Sequence, residues 1–247
     1  MLINQTFEKL HDLRLGTLAR AYREQLDEGS AGALSFDDRF GLLVDREWTT
    51  RQETKTQTRL KKAKLKQPAR YEDTDYRHPR GLEKQVMLDL YTCQWVKAKR
   101  NIIFTGATGL GKSWLACSLA DKACREGYTS HYARVPTFLH ELALARADGS
   151  YLKRLNYLAK VDVLVLDDWA LSAVEGISLE TILDVIDDRT GKRSTIVTSQ
   201  APVAKWHDMF GDPSTADALL DRILGQALEI KLKGESIRRT VKKSTPT

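Results

Sequence analysis

The sequence predicts an α/β fold in which a parallel sheet is covered by helices on both faces. Three observations carry that expectation. Short apolar runs, Asn101–Thr105, Val161–Leu166 and Ser194–Ser199, have the composition of strands buried on both sides. Stretches with helical spacing stand between them, so strand and helix alternate along the chain. Finally, Gly106-Ala-Thr-Gly-Leu-Gly-Lys-Ser113 fits the pattern G-x-x-x-x-G-K-[ST] at every fixed position, and that loop needs a strand before it and a helix after it.

In chain order, residues 4–28 carry Phe7, Leu10, Leu18, Tyr22 and Leu26 near helical spacing and predict one amphipathic helix. Ser35-Phe-Asp-Asp38 is a helix-initiating capping box with Asp in place of the stronger Glu. A second helix runs from it into a basic tract and ends at Gln67-Pro68-Ala69, because proline disfavours helical geometry in the residue before it. From Arg46 to Arg70 there are nine Lys or Arg against two acids, Glu47 and Glu53. Arg51, Lys55, Arg59, Lys62 and Lys66 recur at three or four residues and so share a face. A solvated helix face is the plain reading of a single charge run. This one is long, one-signed and attached to a phosphate-binding module, which points to contacts with nucleic-acid phosphates. The domain boundary is placed near residue 70, with an N-terminal helical, basic domain over 1–70 and a nucleotide-binding domain over 71–247.

Within the second domain, Asn101–Thr105 is the strand before the loop. Trp114–Glu126 is the helix after it, with Leu115, Leu119 and Ala123 at helical spacing and Gly127 as its stop. Tyr128–Ala133 alternates as a strand does, and helical stretches follow at Pro136–Arg146 and Tyr151–Lys160. Val161–Leu166 is a central strand, Leu179–Arg189 a helix and Ser194–Ser199 a further buried strand. A helix around Ala216–Leu224 and a strand near Ala227–Leu232 complete the pattern.

The chemistry lies at strand ends. In the loop, Gly106, Ala107, Thr108, Gly109, Leu110 and Gly111 let the backbone wrap a polyphosphate with its N–H groups facing the oxygens. Lys112 then reaches the β- and γ-phosphates of ATP, and the Ser113 hydroxyl ligates Mg²⁺. Some fifty residues later the central strand ends in Asp167-Asp168. Asp167 stands where a carboxylate binds Mg²⁺ through water, and Asp168 where one orients or deprotonates the attacking water. Many such ATPases have Glu at the second position, and the shorter Asp predicts slow basal hydrolysis. Ser199 and Gln200 close the next strand, where a polar side chain can sense the γ-phosphate and a turn-forming pair is the alternative. Arg222, in Leu219-Leu-Asp-Arg-Ile223, is a candidate arginine finger for a neighbouring subunit's nucleotide, against the alternative of an ordinary exposed helix arginine.

Composition narrows the classes. The chain has 247 residues, a net charge of +6 and 42% hydrophobic residues, enough for a substantial core. Its apolar runs are far shorter than a membrane span, and no signal segment opens it, so a cytoplasmic protein without membrane attachment is expected. Cys93, Cys117 and Cys124 lack metal-type spacing and the histidines are scattered, so no structural metal site is expected. Nothing suggests the acceptor pocket and mobile lid of a metabolic kinase.

With these residues in hand, the chain resembles the AAA+ ATPases of the IstB-like group, the transposition helpers encoded beside an insertion-sequence transposase. That group is similar to DnaC-type helicase loaders. The resemblance spans essentially the whole chain. It runs through Leu10-His-Asp-Leu-Arg-Leu15, Tyr76-Arg-His-Pro-Arg-Gly-Leu82, Thr108-Gly-Leu-Gly-Lys-Ser-Trp-Leu-Ala-Cys117 and Leu166-Asp-Asp-Trp169. It continues through Thr198-Ser-Gln-Ala-Pro202, Trp206-His207, Ala216–Arg222 and Leu232-Lys-Gly-Glu-Ser-Ile-Arg238. Trp114 after the loop and the Lys-Gly-Glu-Ser element are its more specific marks. The resemblance implies a three-layer AAA+ P-loop domain with a reduced or absent C-terminal lid, Trp114 and Gln200 beside the nucleotide, and Arg222 as the finger. It also implies Arg238, or the adjacent Arg239, as a nucleotide-sensing arginine. The implied activity is Mg²⁺-dependent ATP hydrolysis by a homo-oligomer. It assembles on duplex DNA with little sequence preference, remodels it, and recruits or activates a cognate transposase. The alternative is a loader of a replicative helicase.

Overall fold

A computed structural model of the chain describes residues 2–27, 34–171 and 174–237. The chain forms two compact units, Met1–Thr58 and Arg59–Thr247. The division falls inside the long basic helix and not near residue 70, because the helix's last turns pack with the second unit: Arg59 Nε donates to the Cys124 carbonyl at 2.7 Å, and Ala63 is buried.

In the first unit, α1 (Leu2–Asp12) and α2 (Gly16–Asp27) replace the single helix expected over 4–28. The break has a local cause. Arg14 takes a left-handed conformation (φ 58°), its N–H bonds the His11 carbonyl, and the Leu15 N–H bonds the Leu10 carbonyl. That is the Schellman closure of a helix end, which side-chain periodicity does not reveal. α3 (Phe36–Ala63) starts at the expected cap, where the Asp38 N–H donates to Ser35 Oγ at 3.2 Å and the Ser35 hydroxyl donates to the Asp38 carboxylate at 2.7 Å. It stops before the proline because Lys64 turns left-handed (φ 51°).

The second unit continues through α4 (Lys84–Tyr91), α5 (Gln94–Lys97), β1 (Asn101–Thr105), α6 (Lys112–Arg125) and β2 (Ser130–Arg134). Then come α7 (Val135–Ala147), α8 (Tyr151–Lys160), β3 (Val163–Trp169), α9 (Ile177–Arg189), β4 (Ser194–Ser199), α10 (Pro213–Leu224) and β5 (Ala227–Lys231). The strands form one five-stranded sheet in the order β2-β3-β4-β1-β5, and every pairing is parallel. Successive strand residues feed opposite faces. Ile103, Leu164, Leu166 and Val197 join the core under α7 to α10, whereas Ile102, Phe104, Val163, Val165 and Ile196 join the core under α4 to α6. The result is the expected three-layer sandwich.

The order matters for chemistry because β4 lies between β1 and β3. The loop after β1 and the acids at the end of β3 therefore face each other across the end of β4. Immediately beyond the acids, Trp169 is buried against Trp206, with ring centroids 5.8 Å apart and the Trp206 indole N–H on the Ala201 carbonyl. Trp206→Ala is expected to destabilise the fold by about 3–5 kcal/mol in denaturant unfolding, as for other fully buried aromatics. A change within ±0.5 kcal/mol would contradict this anchoring role.

Candidate nucleotide site

β1 delivers the chain to Gly106 (φ 140°), where any Cβ would strike the carbonyl of Leu232, just beyond β5. At Gly111 (φ 84°), the residue before α6, a Cβ would strike the guanidinium of Arg80. At Gly106 the obstacle is backbone that cannot yield, and at both positions the positive φ favours glycine. Arg80 is buried and donates from Nη1 to the Leu110 carbonyl at 2.8 Å and from Nη2 to the Asp75 carbonyl at 2.9 Å. Lys112 is also buried, and its ammonium donates to the loop carbonyls of Gly106 at 2.6 Å and Ala107 at 2.8 Å. Burial lowers its pKa, with Asp167 and Asp168 acting in the opposite direction. The loop thus surrounds a poorly solvated cation, a strong attractor for phosphate oxygens. Thr108 is exposed and Gly109 half-buried, while Leu110 is buried in the core. The Ile237 N–H donates to the Gly109 carbonyl at 3.0 Å, so the segment after β5 lies along the loop.

Asp167 is fully buried at the end of β3. Its Oδ1 accepts from Ser113 Oγ at 2.7 Å and from Thr198 Oγ1, and its Oδ2 accepts from the Tyr132 hydroxyl and from Lys66 Nζ at 3.1 Å. Burial opposes its ionisation, but the hydrogen bonds from Thr198, Tyr132, Ser113 and Lys66 outweigh that and hold the carboxyl below the ordinary aspartate range. The stabilisation is full above that range and is lost as the pH falls through the depressed value. Ser113 and Asp167 together offer adjacent hard oxygens of the kind Mg²⁺ takes. Among the described residues there is no cluster of three or more His, Cys, Asp or Glu that could hold a metal alone, and water and phosphate oxygens are the ligands that would complete a Mg²⁺ shell.

Asp168 turns away from its neighbour. Its φ is 60°, and the pairing of β3 with β4 shifts register between Leu166 and Trp169. This bulge re-aims the side chain. The Asp168 carboxylate is paired with Arg134 Nε, from the last residue of β2, at 2.6 Å. The Asp168 N–H donates to Thr198 Oγ1 at 3.3 Å.

The remaining predicted residues are distributed more widely. Gln200 is exposed just past β4, and Ser199 Oγ is used internally on the Trp169 carbonyl at 2.8 Å. Thr198, one residue earlier, is the β4 side chain that meets both aspartates. Trp114 is half-buried against the core under α6. Arg222 lies at the other end of the sheet: the Asn101 side chain, where β1 begins, donates to the carbonyl of the next residue, Ile223, at 3.0 Å. The Arg222 guanidinium sits on Asp187 and on the Ala218 carbonyl. Along the basic face, Arg51 is engaged by Glu47 and the Arg14 carbonyl, Arg59 by the Cys124 carbonyl, and Lys66 by Asp167. Lys55 and Lys62 are exposed. Arg238 and Arg239 lie outside the described residues. The three cysteines are free and buried. No helix among the described residues is long and apolar enough to cross a membrane.

Arg80, Tyr132, Arg134, Thr198 and the placement of Lys66 escape sequence reasoning. A polar Thr198 inside the buried run Ser194–Ser199 is the one local signal among them.

Residues 8–245 match the family model described as IstB-like ATP binding protein. An insertion sequence ATP-binding protein of Sinorhizobium fredii is 42% identical over 245 residues, spanning 99% of this chain and 100% of its own length. AMPPCP-bound DnaA from Aquifex aeolicus superposes with a TM-score of 0.58 at 17% identity, over 73% of this chain and 55% of its own. The DnaC helicase loader superposes with a TM-score of 0.53 at 20% identity, over 67% of this chain and 97% of its own. Both structures are similar to this chain in fold.

Proposed function

This chain belongs to the IstB-like ATP-binding proteins, and from that premise we propose that it is an AAA+ ATPase that assembles on duplex DNA and prepares it for a partner transposase. The observation that carries the reading is the convergence of Lys112, Ser113 and Asp167 at one end of the sheet, with Asp168 beside them. Lys112 leaves the Gly106 and Ala107 carbonyls for the β- and γ-phosphates. Ser113 and Asp167 would hold Mg²⁺, which would supply charge neutralisation at the phosphate oxygens. Thr198 and Tyr132 keep the Asp167 carboxylate ionised and oriented. Asp168 orients the attacking water and accepts its proton, for which it must leave Arg134. That ion pair supports slow turnover in the unassembled chain. Arg222 of a neighbouring subunit supplies the remaining positive charge. DNA contact falls to the basic run, with Lys55 and Lys62 exposed for it, and phosphate contacts of this kind make binding salt-sensitive and weakly base-specific.

The test is phosphate release with and without duplex DNA. Wild type is expected to be slow alone and stimulated by DNA, and Asp168→Asn to lose roughly 10²–10⁴-fold of the stimulated rate while still binding ATP. No turnover by wild type with DNA would leave a nucleotide-switched DNA binder and remove the enzyme reading.

A further inference from the structure

Lys66 lies outside the phosphate loop and outside both aspartates, and nothing in its sequence setting assigns it to the nucleotide site. It follows the end of α3 in a segment that is firmly seated. Leu65 packs against the core under α6, and Ala69 is buried. The side chain is 42% exposed along its length, yet its ammonium ends 3.1 Å from the fully buried Oδ2 of Asp167.

A buried carboxylate needs a compensating positive charge. Among the described residues Lys66 is the cation paired with Asp167. Lys112 directs its ammonium to the Gly106 and Ala107 carbonyls, and Arg80 directs Nη1 and Nη2 to the Leu110 and Asp75 carbonyls. Ser113, Thr198 and Tyr132 donate to Asp167 but bring no formal charge.

We propose that Lys66 is a built-in counter-cation for the metal aspartate, seated on Asp167 while the site lacks metal and released from it when Mg²⁺ and nucleotide are held. The inference rests on the reading of Ser113 and Asp167 as the metal-binding pair. A dication and an ammonium on one carboxylate repel each other, so Lys66 gives way to the higher charge. Seated, Lys66 spares Asp167 an uncompensated buried charge and makes metal binding weaker than the oxygens alone would allow. Released, its ammonium joins the basic run that contains Lys62 and Lys64. Lys66 is therefore open to a polyanion only in the metal-loaded state, whereas Lys55 and Lys62 are open in both.

Two measurements on the full chain test this. Amine acylation read by mass spectrometry follows Lys66 with Lys55 as the internal exposed control. Lys66 is expected to react several-fold faster with a non-hydrolysable ATP analogue plus Mg²⁺ than with the same analogue in EDTA, while Lys55 is unchanged. Separately, Lys66→Met with saturating fluorescent analogue is expected to bind Mg²⁺ about tenfold more tightly than wild type, the size of coupling one displaced ion pair gives. Bound analogue with no metal-dependent change at Lys66 overturns the proposal. So does a Lys66→Met chain that binds the analogue more weakly in EDTA, since Lys66 would then be a phosphate ligand. Wild type that binds no analogue at all would overturn the nucleotide-site reading, and the proposal with it.

Discussion

Lys112→Ala is expected to weaken ATP binding by at least about thirtyfold and to abolish ATP-dependent assembly, with the fold retained. Truncating one partner of a buried charged contact costs about 2–5 kcal/mol, and each 1.4 kcal/mol is tenfold in affinity. Among the described residues Arg80 is not free to replace it, because its guanidinium is on the Leu110 and Asp75 carbonyls. The cost to folding is small. Lys112 donates only to the Gly106 and Ala107 carbonyls; Gly106 is half-buried and Ala107 exposed, so water can replace it. A loss of about 1 kcal/mol shifts the melting temperature of a chain this size by about 2–4 °C. Nucleotide titration and thermal unfolding therefore separate the two effects. Unchanged ATP-dependent assembly would refute the order in which nucleotide binding precedes assembly.

The difference between the residues found by sequence and those found only in the structure follows from locality. Gly106–Ser113 reads directly from the chain because its chemistry is made by consecutive residues: β1 points the loop, the glycines admit Leu232 and Arg80 behind it, and α6 starts within it. Asp167 and Asp168 read from the apolar run that precedes them. Tyr132, Arg134 and Thr198 come from strands flanking β3, and their relevance depends on the order β2-β3-β4, which no local pattern contains. Arg134 stands opposite Asp167 in register, yet it is the positive φ of Asp168 that turns the next carboxylate toward it. The basic face shows the converse. Regular spacing groups Arg51, Lys55, Arg59, Lys62 and Lys66 as equivalents, but Arg51, Arg59 and Lys66 have partners within the protein.

Arg222→Ala is expected to spare nucleotide binding and to lower DNA-stimulated turnover on the order of 10³-fold, the scale of an arginine finger. The geometry keeps Arg222 away from its own chain's phosphate loop. Arg222 is held near Asn101, at the start of β1, and the phosphate loop begins beyond Thr105, the strand's last residue. That strand separates the two by roughly 16 Å at about 3.3 Å per residue, well beyond the reach of an arginine side chain. Its present partner, Asp187, is more than half exposed, so little is lost from the isolated fold when the pair is broken. A composite site makes a further demand. Asp168→Asn subunits keep Arg222, and Arg222→Ala subunits keep Asp168, so neither works alone and each supplies what the other lacks. In a random equal mixture about a quarter of the sites combine an intact Asp168 with an intact neighbouring Arg222, and turnover should return to about that fraction of wild type. Mixtures as inactive as their components, or Arg222→Ala as active as wild type, would remove Arg222 from the catalytic assembly.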